Sequence, residues 1–250
     1  MHTHYDPPVC LHKGDVMAAM QHHVAHGYYF WTSGEVSADK AMNLAQKFYA
    51  RYAIGDNANQ RAWRKRKGEA NAAFFLYPKR DSHGFHWWLL ATEGDGEIKK
   101  RETLNDTRRQ GERLQWNGEY ELALMTKKQR HKPSWSWRMT SANWQAWQVR
   151  LKKAGRSHDE SLMRQAVWSL YRTPGFASTR TQVGKLLAFA KTQWRHAHKA
   201  RNFPPAPPTL YYRRFQTHDK QPLSSLLVRA SRARVGWFGS AKRGVTIAPR

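Results

Sequence analysis

Several groups of side chains in this 250-residue sequence have the types and spacing that chemistry requires. The segment His83-Gly84-Phe85-His86 carries two imidazoles. A nicking enzyme holds a divalent cation on paired histidines of one strand face, which needs His-x-His spacing; the His-x-x-His found here puts the rings on opposite faces of a straight strand. Tyr49 and Tyr52, three apart on a helix face, have the spacing of a nucleophile pair and equally of core residues. His22 and His26 stand four apart, as two zinc ligands do, but no carboxylate or cysteine accompanies them. Gly94-Asp95-Gly96 lacks the third glycine and helix cap of a phosphate loop, and no Gly-Lys-Ser/Thr occurs. No spacing singles out a Ser-His-Asp set or the general base of a metal-free RNA endonuclease. No metal and no cofactor is expected, no catalytic residue can be named, and phosphodiester cleavage stands only as an alternative function.

Binding chemistry is better represented. The chain holds 43 Lys+Arg against 18 Asp+Glu, a net charge of +25, with twelve Trp. Residues 161–250 contain seventeen Lys/Arg and a single acid, Asp219. Such a surplus repels itself unless an anionic partner offsets it. Lysine and arginine neutralise phosphates while aromatic rings offer faces to unpaired bases, so nucleic acid is the expected partner. The expected phosphate contacts are Arg61, Arg64, Lys65, Arg66, Lys67, Arg138, Arg180, Arg195, Lys199, Arg213, Arg214, Arg232 and Arg234. The expected stacking residues are Trp135, Trp137, Tyr211 and Tyr212. Trp135-Ser136-Trp137-Arg138 sets both indoles on one side of an extended segment, either as a stacking platform or as core packed on Trp144 and Trp147. Gly175-Phe176-Ala177-Ser178-Thr179-Arg180-Thr181-Gln182 is a loop entering a helix, with donors suited to a phosphate. No membrane partner is expected: the basic segments lack a clean apolar face, and no stretch approaches the roughly 20 apolar residues of a span. A scaffold whose basic face docks an acidic protein is the remaining class.

These side chains must be positioned by folded elements. Asp15 can cap a helix that ends at Gly27. Residues 28–32 (Tyr-Tyr-Phe-Trp-Thr) favour a strand. Ser37 opens a helix carrying Ala41, Leu44, Ala45, Phe48 and Tyr52 at helical spacing. Arg61–Lys67 is expected to be a mobile basic loop. Strands at Asn71–Tyr77 and Phe85–Thr92 flank a turn, a charged helix is expected over Lys100–Gln115, and Tyr120–Thr126 alternates as a strand after the Asn117-Gly118 turn. The order β-α-β-β-α-β predicts an α+β, ferredoxin-like antiparallel sheet, two helices on one face and the other face free to bind. Three helices follow, at Ser141–Ala154, Asp159–Tyr171 and Thr179–Ala197. Pro204–Pro208 is a stiff spacer, Leu210–Phe215 an edge strand, and Arg229–Arg250 a tail that orders on its ligand. The expected divisions are an N-terminal arm and helix at 1–27, the ferredoxin-like domain at 28–132, a helical region at 133–203 and a basic C-terminal extension at 204–250. The lone Cys10 suits a reducing compartment, so a cytoplasmic location is expected.

Tyr28–Gly34, Arg66–Ala72, His86–Leu90, Trp135–Thr140 and Thr173–Phe176 resemble stretches of basic, Trp-rich proteins carried by proteobacterial plasmids and integrating conjugative elements. That group has no assigned activity. The resemblance implies handling of mobile-element DNA or RNA in replication, transfer or defence, as one subunit of a nucleoprotein machine that contains other subunits.

Overall fold

The computed structural model describes residues 5–79, 82–126, 132–157, 159–199, 202–207 and 219–231, with the backbone of 235–236 and 239–240. The chain divides into two compact units, one of residues 1–16, 26–104 and 217–250, the other of residues 17–25 and 105–216. The elements are β1 (Pro8–Cys10), α1 (Lys13–Ala25), β2 (Phe30–Ser37), α2 (Ala38–Tyr52), α3 (Ala58–Arg66), β3 (Ala72–Pro78), β4 (Gly84–Ala91) and α4 (Glu97–Arg101). They continue with β5 (Asn105–Asp106), β6 (Gln115–Trp116), β7 (Tyr120–Met125), β8 (Ser134–Met139), α5 (Ser141–Arg156), α6 (Glu160–Tyr171), α7 (Ala177–Ala197), β9 (Lys220–Pro222) and α8 (Leu223–Ser231).

In the first unit, β4 lies between β2 and β3 and runs antiparallel to both, with Trp87 opposite Gly34 and Leu76. Side chains alternate across a strand, so Leu76, Phe85, Leu89 and Ala91 share one face. Ala41, Ala45, Phe48 and Tyr52 of α2 repeat at helical spacing and bury against that face. Gly34 is required there: a Cβ would stand 2.8 Å from the Trp87 ring, whose centroid lies 5.5 Å from that of Phe48. The same core takes Val9 of β1 and Leu223 and Leu226 of α8, while β1 pairs antiparallel with β9. Leu223–Ser231, expected as linker and tail, is therefore a helix of the first unit's core.

The chain is α+β with antiparallel sheets. The finer ferredoxin-like expectation meets three departures. Of the helix expected over Lys100–Gln115, only Lys100 and Arg101 are α-helical, as the end of α4, because this segment offers little besides Leu104 and Leu114 to bury. The expected fourth strand, β7, pairs with β6 and β8 in a separate sheet of the second unit. The sheet face opposite α2 is also not open: Trp31, Tyr77, Trp88 and Leu90 are all buried.

The second unit holds the β6-β7-β8 meander, helices α5, α6 and α7, and the part of α1 from Met17 to Ala25. Asn117 (φ 46°) and Gly118 (φ 70°) form the left-handed turn that the Asn-Gly pair favours. An edge strand leaves backbone groups to satisfy, and α7 satisfies those of β8 with side chains one turn apart. Thr179 Oγ1 donates to the Trp137 carbonyl at 2.9 Å. The Gln182 carboxamide accepts from Met139 N–H at 2.7 Å and donates to its carbonyl at 3.2 Å, as a neighbouring strand would. Replacing Gln182 with Ala is expected to cost about 1–3 kcal/mol, since both Met139 groups lose their partner. Urea unfolding of the two proteins measures it, and an unchanged midpoint would show that water satisfies the edge equally well.

Candidate nucleic-acid interface

The basic run Arg61–Lys67, expected as a loop, lies in α3 and its C-cap residue, Lys67. Its start is fixed by a capping box: the Asn57 side chain accepts from Gln60 N–H at 3.0 Å, and the Gln60 side chain accepts from Asn57 N–H at 2.8 Å. Asn71 Nδ2 donates to the Arg61 carbonyl at 3.1 Å. Arg64 is the inward residue. Its guanidinium lies 3.2 Å from Glu69 and 3.8 Å from Asp56 and donates to the Ala70 carbonyl at 3.3 Å. Arg64 is thus committed to anchoring the helix. No residue of α3 is buried. A helix without an apolar stripe draws little stability from packing, so the cap and the Arg64 contacts carry it.

Arg61, Lys65, Arg66 and Lys67 are exposed on this anchored helix. Trp63, which the sequence did not single out, is 48% exposed, and Lys67 Nζ lies 4.0 Å from its ring centroid. The available signal was an aromatic residue inside a basic run. The arrangement offers phosphates four cationic side chains and offers a base one indole face.

Within the second unit, the structure brings the two sequence clusters at 135–138 and 175–182 together. Trp135, Ser136 and Arg138 of β8 and the first turn of α7 line one cleft of about 630 Å³. Ser178 N–H donates to Ser136 Oγ at 3.1 Å, which fixes the helix start against the strand. Trp135 is half-buried at this cleft. Trp137 is 0% exposed, and its Nε1 donates to the Met17 carbonyl at 2.8 Å. An enclosed ring has no face for a base, so Trp137 is a core residue and the expected stacking role is corrected. Glu121 accepts from Arg113 at 2.9 Å and from Arg138 Nε at 2.7 Å, leaving this group of charges net positive. Arg180 is partly buried on α7.

Arg195 and Lys199 are exposed at the far end of α7. Beside them Lys152 and Arg156 of α5 and His196 of α7 line a groove of about 490 Å³. Packing of α5 against α7 creates this cationic grouping, and linear sequence does not display it. Tyr211, Tyr212, Arg213, Arg214, Arg232 and Arg234, with the strand expected at 210–215, lie outside the described residues.

The residues weighed for catalysis are occupied otherwise. His86 Nδ1 lies 3.3 Å from Glu35, which also pairs with Lys79, while His83 precedes the strand. Tyr49 stacks on Tyr5 with centroids 4.3 Å apart. Tyr52 is buried and donates to Glu102 at 2.5 Å; burial, then the Glu102 hydrogen bond, pushes its phenol up to about 12. A phenol held protonated is a poor nucleophile. Among the described residues, no three His, Cys, Asp or Glu side chains gather where a metal could be held. No described helix is long and apolar enough to cross a membrane. No family model, curated protein or solved structure matches the chain.

Two outcomes test these assignments. Arg64→Leu is expected to lower stability by about 1–2 kcal/mol, whereas Lys65→Gln and Arg66→Gln each stay within about 0.5 kcal/mol; thermal melts of the three variants separate anchor from surface. Because the Tyr52 phenol is raised in the folded state, the unfolded chain loses that proton first as pH rises above 10. The stability Tyr52 contributes is therefore complete below pH 10 and is lost towards pH 12. Tyr52→Phe should flatten that alkaline decline in a series of denaturation curves.

Proposed function

We propose that this chain binds nucleic acid, with α3 as a principal contact. The observation that supports the reading is a firmly capped helix with no buried residue, which presents Arg61, Lys65, Arg66 and Lys67 around an exposed Trp63. Burial does not account for Trp63, and α3 itself contains no carboxylate to offset its cations. A phosphate backbone offsets the charge, and an unpaired base covers the indole. The basic groove of α5 and α7 adds phosphate contacts of the same kind. The sequence resemblance extends the proposal to a subunit of a mobile-element nucleoprotein machine, acting in the cytoplasm in replication, transfer or defence.

The test uses the full chain with labelled single- and double-stranded DNA and RNA of equal length between 50 and 200 mM salt. Affinity is expected to fall steeply with salt. Changing Arg61, Lys65 and Arg66 together to Gln should reduce the slope of log affinity against log salt by about 2–3, each phosphate left without its cation accounting for roughly 0.7–0.9. Trp63→Ala should weaken single strands more than duplexes. An unchanged slope in the triple variant, or no retention of any probe, overturns the proposal. Shortened probes would indicate a cutting enzyme.

A further inference from the structure

We infer that the cleft between β8 and the start of α7 is a binding site for one nucleotide unit, its base against Trp135 and its phosphate on Lys185 and Arg138. The inference deepens the nucleic-acid reading, but it concerns a separate surface and can fail separately.

The cleft of about 630 Å³ falls in the range of roughly 300–1,000 Å³ typical of small-molecule sites. Its lining combines three chemistries. Trp135 is half-buried, so it is held by packing and keeps part of its ring at the cleft. Arg138 and the exposed Lys185 supply positive charge, and among the described residues none that lines the cleft is acidic. Glu121 holds the Arg138 guanidinium in place without cancelling the cluster, because Arg113 shares the same carboxylate. The Ser134 hydroxyl adds a group suited to a sugar or phosphate oxygen, while the Thr181 hydroxyl, which donates to the Ala177 carbonyl at 3.2 Å, is left to accept from a sugar O–H.

Gln21 of α1 supplies an observation independent of charge. It lines the cleft, and its Oε1 is buried with no hydrogen-bond partner among the described residues. A buried acceptor left unpaired is costly, and a ligand bearing an N–H donor removes that cost. The exocyclic amine of adenine, cytosine or guanine is such a donor. A simple inorganic anion would use the cations and leave both the indole and the carboxamide unused. A purely apolar ligand would strand the cations. An aromatic heterocycle carrying an amine, a sugar and a phosphate uses all of them.

The unit could come from a free mononucleotide or from within a single strand, and one experiment separates these sources. The full chain is titrated with adenosine monophosphate by calorimetry and with a fluorescein-labelled 12-nucleotide single-stranded DNA by anisotropy. Trp135→Ala is expected to weaken strand binding about 5- to 150-fold, the range for losing one stacked base, while Trp135→Phe recovers most of it. Lys185→Gln should lower the salt slope by about 0.7, the share of one single-strand phosphate. If adenosine monophosphate also binds and Trp135→Ala abolishes its heat, the cleft accepts a free nucleotide. If it does not bind while the strand still depends on Trp135, the unit is taken from within a chain. Should Trp135→Ala fail to fold, Lys185→Gln decides the matter, and an unchanged strand affinity and salt slope in that variant overturns the inference. Wild-type behaviour of a folded Trp135→Ala towards both probes overturns it as well. Loss of binding in the α3 variants alone leaves the α3 reading standing and removes the cleft. Loss in the cleft variants alone does the reverse. Absence of binding to either probe by the unaltered chain removes both.

Discussion

Electrostatic self-repulsion is the constraint under which this chain folds. With 43 basic side chains and 18 acidic ones, like charges crowd any compact arrangement, and each carboxylate is valuable where two cations must come close. The structure does this at Glu121, which sits between Arg113 and Arg138, whereas Asp56 and Glu69 both lie within 4 Å of a single cation, Arg64, and hold it in place. Arg108 holds the Asp106 carboxyl below its usual range through a direct hydrogen bond. Acids spent on holding segments in place cannot also neutralise the outer surface. The positive faces of α3 and of the α5–α7 groove follow from that allocation.

A second constraint is the free edge of β8. Gln182 and Thr179 satisfy Met139 and Trp137, and Ser136 in turn accepts from the first turn of α7. The helix therefore lies along the strand by polar contacts made at its N-terminal end. Towards Ser134 and Trp135 this contact opens into the cleft, so the geometry that seals the edge also shapes the pocket beside it.

Much of the fold was legible wherever a segment buries one face. The apolar stripe of α2 and the alternation of β3 and β4 mark their elements because burial imposes a period. α3 left no such mark: it buries nothing, so its basic run reads as a loop, and its cap at Asn57 is the one local sign of a helix. Alternation identifies Tyr120–Thr126 as a strand but cannot name its partner, and the partner proved to be Ser134–Met139. Same-face spacing of Trp135 and Trp137 was legible, whereas their depth was not, because burial depends on Met17 reaching across from a distant segment. The candidate site followed the same pattern. Its cations were visible in composition, but Trp63, Lys152 and Arg156 acquired meaning only from the surfaces on which they stand.

The pairing of β1 with β9 has a temporal side. Pro8 lies opposite Pro222, and Ser224 N–H donates to Asp6 at 3.1 Å, so the first unit's core closes through contacts more than 200 residues apart in sequence. Contacts of such long range are slow to form, because the loop they close is costly in entropy. During synthesis, α2 and its sheet are made well before Leu223 and Leu226 exist to cover them. At roughly 5–20 residues per second the intervening chain takes on the order of 6–25 s to emerge. By the end of that interval the second unit has all of its sequence in hand while the first is still missing one wall, so a protein with this topology completes the unit it started last before the one it started first.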